Sequence, residues 1–130
     1  MRPVRVFKTR AFGRCARKER IRDAVLCEAI DRAERGMVDA DLGGRIIKQR
    51  VARPGQGRSG GYRTLIAYRQ RYLAVFILGF AKNDQCNTDD ADLNDLRKAA
   101  HAFMRLSDDG IDEAIAEQKL AEMDCEKVSK

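Results

Sequence analysis

The chain has 130 residues, 44% of them hydrophobic and 35% charged, with a net charge of +6. That is enough for one packed core in one domain; no apolar run nears the roughly 20 residues of a membrane-spanning helix, and Met-Arg-Pro followed by alternating residues predicts no secretory leader. The charge is lopsided: residues 1–72 hold 19 Lys and Arg against 7 Asp and Glu, or +12, and residues 73–130 hold 7 against 13, or −6. A basic half suits a polyanion such as nucleic acid, and a solvated basic surface without a partner is the equally ordinary alternative.

Pro3 to Lys8 alternates as a short strand, and Thr9 is placed to cap a helix. From Arg10 to about Arg35 the pattern is helical, with a hinge near Glu19 to Arg22. Phe12 and Ala16 suit the first helix; Ile21, Val25, Leu26, Ala29, Ile30 and Ala33 make the stripe of the second, which Gly36 ends. Arg10, Arg14, Arg17 and Arg20 fall on outer helix faces. Met37 to Gly44 reads as a loop with a tight turn at Gly43-Gly44.

Three β-rich runs follow, Ile46 to Ala52, Tyr62 to Arg69 and Leu73 to Ala81, predicting an antiparallel unit. The last run is free of charge, as in a central strand covered on both faces. Asp84 to Asp89 is a polar loop. Asp90 and Asp92 suit the start of a helix whose stripe is Leu93, Leu96, Ala100 and Phe103, ending near Arg105. His101 within it carries no expected catalytic role. Past Ser107 an acidic stretch with Ile111, Ile115, Leu120 and Met123 predicts one short, weak helix. The domain reading is 1–106 as the working domain and 107–130 as an acidic extension.

Cys15, Cys27, Cys86 and Cys125 form no Cys-x-x-Cys pair, and the chain has one histidine. No metal site or cofactor is expected, and the cysteines are expected as free thiols in a reducing cytoplasm.

The chemistry-bearing residues gather between Ile46 and Asn83. A turn through Gln70-Arg71-Tyr72 brings Arg63 beside Phe80, and the two-residue period puts Lys82 on Arg63's face. Lys48 and Arg50, two apart, also share a face. Whether it is Arg63's depends on how residues 53–61 close: symmetric closure opposes Arg50 to Thr64 and separates the cations, whereas asymmetric closure opposes Arg50 to Arg63 and gathers them. Gly55-Gln-Gly57-Arg-Ser-Gly60 matches a dinucleotide-binding string but precedes a strand where that motif opens a helix. No kinase catalytic words accompany it. A glycine loop flanked by Arg53, Arg58 and Arg63 can approach phosphates with its backbone N–H groups; a plain long hairpin loop is the simpler reading.

Lys48-Gln-Arg50-Val-Ala, the basic glycine loop, Gly60-Gly-Tyr-Arg63 and Phe80-Ala-Lys82-Asn83 resemble the HigB branch of the RelE/ParE toxins of bacterial type II toxin–antitoxin pairs, over about residues 4–105. The resemblance implies an α+β fold, a small, mostly antiparallel sheet in the order β-α-α-β-β-β-α with helices packed on one side. It implies a ribosome-dependent endoribonuclease that cuts mRNA and arrests translation. It also implies a cognate antitoxin, commonly a helix-turn-helix protein from the neighbouring gene, and no membrane.

The implied catalytic residues are Lys48, Arg50, Arg63, Lys82 and Asn83, with Arg53, Arg58, Gly60 and Gly61 binding RNA. The C-terminal tyrosine of RelE has no counterpart after Asn83. Attack by a 2′-OH needs a base, a leaving-group acid and charge stabilisation, which lysine and arginine supply in large part without a metal: Lys48 as base, Arg63 clamping the phosphate, Lys82 adding charge, Asn83 orienting a hydroxyl. The alternatives are a ParE-like inhibitor of DNA gyrase that cuts nothing and an inactive basic RNA-binding domain. The acidic tail is a candidate for folding over the basic groove.

Overall fold

One sheet is assembled around the uncharged run. In a computed structural model, which describes residues 4–52, 61–81, 84–85 and 93–125, the elements in chain order are β1 (Arg5–Thr9), α1 (Arg10–Lys18), α2 (Asp23–Glu34), β2 (Ala40–Gly43), β3 (Ile46–Val51), β4 (Tyr62–Arg69), β5 (Leu73–Ala81), β6 (Asp84–Gln85), α3 (Leu93–Met104), α4 (Asp108–Ala116) and β7 (Leu120–Met123). The strands lie in the order β2-β3-β4-β5-β1-β7, with β6 paired to the end of β5. β1 runs parallel to β5 and the other pairs are antiparallel. No helix among the described residues is long and apolar enough to cross a membrane.

Local signals in the sequence produce the expected joints. Thr9 caps α1 by accepting from the Phe12 N–H at 3.1 Å. The β4–β5 hairpin pairs Arg69 with Leu73 and closes through Gln70-Arg71-Tyr72, with Arg71 at φ 62. Its tip is pinned to the end of α2. Tyr68 donates its hydroxyl hydrogen to Glu34, the Arg71 N–H donates to the same carboxylate (3.0 Å), and the Gln70 amide donates to the Glu34 carbonyl (3.0 Å). The register slips by one between Leu65 and Ile66, leaving Ile77 as an extra residue, and only beyond that bulge does Arg63 face Phe80.

Four expectations need correction. Met37 to Gly44 is not all loop, because Ala40–Gly43 pairs with β3. Gly43 and Gly44 do turn there, at φ 78 and 62, and a Cβ on Gly44 would lie 2.5 Å from the stem of Arg97, whose guanidinium donates to the Leu42 carbonyl. Leu120–Met123 likewise is an edge strand beside β1 and not the end of a helix.

The helices lie on both faces, not one. Val6, Ile47, Ile66 and Phe76 pack against α1 and α2 through Phe12, Leu26 and Ile30, while Phe7, Ile46, Leu65 and Val75 pack against α3 and α4 through Leu96, Ala100 and Ile111. Adjacent residues such as Ile46 and Ile47 are both buried because each meets a different layer.

The fourth correction concerns the thiols. Cys27 in α2 and Cys125 just past β7 form a disulfide with a Cα separation of 5.5 Å, and Cys15 is also disulfide-bonded. Spacing alone cannot show a pair 98 residues apart. It arises because β7 docks beside β1 on the sheet that α2 covers, which leaves Cys125 against the same core as Cys27. α4 and β7 are thus built into the sheet and its packing: Ile111, Leu120 and Met123 are buried. Arg5 of β1 also makes a two-point ion pair with Glu122 of β7, at 2.9 and 3.0 Å.

A candidate cationic site on the sheet

The closure left open by the sequence is the asymmetric one. β3 and β4 pair with Arg50 directly opposite Arg63 and Lys48 opposite Leu65. Alternation then puts Lys48, Arg50 and Arg63 on one face, the face of Ile46, Leu65 and Phe80 that α3 helps to cover. Directly opposed residues have Cβ atoms about 5 Å apart, and like charges so placed destabilise a sheet by up to about 1 kcal/mol. Arg50 is exposed, and Lys48 and Arg63 are half-buried. None of these three side chains has an ion pair or hydrogen bond among the described residues. Two opposed guanidinium groups without carboxylates make a place where an anion is favoured.

Gly61 is buried at the entry to β4. Arg53, Arg58, Gly60, Lys82 and Asn83 lie outside the described residues. Among the described residues no cluster of His, Cys, Asp or Glu has the makings of a metal site. His101 is exposed on α3.

What holds Arg50 was not foreseen from the sequence. β2 stops short of this end of β3, so the Arg50 backbone is satisfied by side chains. Its N–H donates to Asp39 Oδ2 (2.7 Å), and its carbonyl accepts from Arg32 Nη2 (2.6 Å). Arg32 is buried in α2 and bonded to Glu28 at 2.6 Å. The fully buried Gln49 next door donates to the carbonyls of Ala29 (2.9 Å) and Met37 (3.1 Å) and accepts from the Asp39 N–H (2.8 Å). Thr64 donates to the Gln49 carbonyl at 2.8 Å. Buried polar groups must be paired, so this network fixes Gln49 and Arg50 of β3 against α2. The available signal was an arginine beside Ala33 on the inward face of α2, with glutamate four residues before it.

Comparison with known proteins adds the family. No curated protein and no solved structure matches the chain. The family model of the RelE toxin of RelE/RelB toxin–antitoxin systems matches residues 4–123. The match takes in every element from β1 to β7, α4 included. The chain therefore belongs to the RelE toxin family, toxins whose partner is a cognate antitoxin.

Proposed function

We propose that the chain is a HigB-like toxin acting as a ribosome-dependent endoribonuclease that cuts mRNA and arrests translation. The observation that carries this reading is the opposition of Arg50 and Arg63 with Lys48 on the same face, all three without a counter-ion among the described residues. In the proposed reaction Lys48 takes the proton of a ribose 2′-OH, and the 2′-oxygen attacks the adjacent phosphorus. The bond from phosphorus to the 5′-oxygen breaks, leaving a 2′,3′-cyclic phosphate and a 5′-OH that takes its proton from water, since no tyrosine follows Tyr72.

Arg63 clamps the non-bridging oxygens bidentately, Arg50 and Lys82 add positive charge where the phosphorane gains negative charge, and Asn83 orients the attacking hydroxyl. Arg53, Arg58, Gly60 and Gly61 hold the RNA backbone on either side.

Induced expression tests this reading. Translation stops and mRNA is cut within codons, while Arg63→Ala and Lys82→Ala restore growth and leave mRNA whole. Equal toxicity of wild type and variants removes the proposal. Intact mRNA together with inhibited DNA supercoiling replaces it with gyrase inhibition.

A further inference from the structure

The turn between α1 and α2 forms a cleft of about 550 Å³ with the residue that follows β3. Its floor is aliphatic, made by Ala16, Ile21, Val25 and Ala52, and its rim carries Arg17, Arg20 and Arg22. It lies on the α1–α2 side of the sheet, whereas Lys48, Arg50 and Arg63 share the α3–α4 side.

All three rim arginines are exposed, and none is ion-paired among the described residues. With Lys18, also exposed and without an ion pair among the described residues, they place four cations within residues 17–22. Arg20 also holds a left-handed backbone, φ 60, at a helix end where the Ile21 N–H bonds back to Ala16 (2.8 Å) and the Arg20 N–H to Arg17 (3.2 Å). Glycine is the residue usually found there.

An occupant of this cleft must present carboxylates around an aliphatic side chain. Nucleic acid fits less well, because among the described residues the floor has no aromatic ring for a base to stack on and no polar side chain to read a base edge. Arginine forks flanking an aliphatic pocket match the anchors of protein interfaces.

We propose that this cleft docks an acidic, aliphatic segment of the cognate antitoxin, a Leu, Ile or Val entering the floor and flanking Asp or Glu pairing with Arg17, Arg20 and Arg22. The inference rests on the chain being a toxin with a protein antitoxin. It places the docking surface off the cationic face, so neutralisation and RNA cleavage separate by mutation.

The test is isothermal titration of the full chain with its purified cognate antitoxin, alongside ribosome-dependent cleavage of mRNA by the same preparations. Arg17→Glu/Arg20→Glu weakens the complex by about 30-fold or more and leaves cleavage unchanged, and the equal charge change Arg10→Glu/Arg14→Glu outside the cleft alters affinity by less than about threefold. Unaltered antitoxin affinity in Arg17→Glu/Arg20→Glu overturns the proposal. So does loss of cleavage together with loss of affinity for a single-stranded 12-mer RNA, which would make the cleft an RNA site. If the wild type cuts no RNA yet the double variant loses the antitoxin, the docking proposal stands and the nuclease reading fails.

Discussion

Replacing Arg32 by Met should lower stability through the loss of its contacts with the Arg50 carbonyl, Glu28 and Asp39, and lower activity through the first of these. Arg32 is 7% exposed, and its guanidinium donates to the Arg50 carbonyl at 2.6 Å and pairs with Glu28 at 2.6 Å. A hydrogen bond involving a charged group contributes about 1.5–3 kcal/mol. The Glu28 pair adds at most about 1 kcal/mol, because that carboxylate is half-exposed and rehydrates when its partner is lost. The cost therefore falls at about 1.5–4 kcal/mol, centred below the roughly 3–5 kcal/mol of breaking a fully buried pair.

Urea unfolding reads this value directly, and in a chain of this size it corresponds to a melting point lower by roughly 10 °C. Well below that melting point, mRNA cleavage falls about tenfold or more, because the strand end carrying Arg50 loses one of its two side-chain anchors and small misplacements are expensive in rate. In an Arg50→Ala background, Arg32→Met costs the same stability and no further activity. A stability loss under about 1 kcal/mol, or an activity loss that persists undiminished in that background, would falsify this account of how Arg50 is held.

Two further outcomes concern pH and redox state. Burial first, and the hydrogen bond to Glu34 second, raise the Tyr68 phenol well above its ordinary 10.0. The folded value exceeds the unfolded one, so the contribution is complete below about pH 10 and drains away as pH rises beyond it; Tyr68→Phe flattens the alkaline limb of a stability–pH profile, and an unchanged limb would count against the pairing. The Cys27–Cys125 bond closes a span of 98 residues, for which the chain-entropy model gives about 4–5 kcal/mol as an upper figure. Cys27→Ala/Cys125→Ala is expected to lose about 2–4 kcal/mol in urea unfolding while keeping its cleavage rate, since both cysteines pack on the α1–α2 side. A lost rate at full folding would contradict the separation of the two faces.

Local rules carried much of the fold. The Thr9 cap, the hinge between the first two helices and the β4–β5 hairpin each depend on a few adjacent residues, and each forms as the sequence predicts. β2 and β7 were missed because four-residue edge strands such as Ala-Asp-Leu-Gly and Leu-Ala-Glu-Met carry no alternation long enough to separate them from a loop or helix end.

The two-sided cover was written in the uncharged β5 and in the adjacent Ile46 and Ile47, a signal that outweighs the one-sided arrangement drawn from resemblance. The closure of residues 53–61 was not legible, since a one-residue slip changes no local preference and reverses every side chain. The contact that accompanies this register joins residues 15 apart in sequence, Thr64 donating to the Gln49 carbonyl. The same distance effect hid the disulfide.

The account is tested most directly by cleavage of ribosome-bound mRNA with Arg50→Ala, Arg63→Ala and the double variant, each shown to be folded. If the opposed arginines act together on one scissile phosphate, each single change lowers the rate by about 10²–10³ and the double by little more. Rates close to wild type in all three would contradict it.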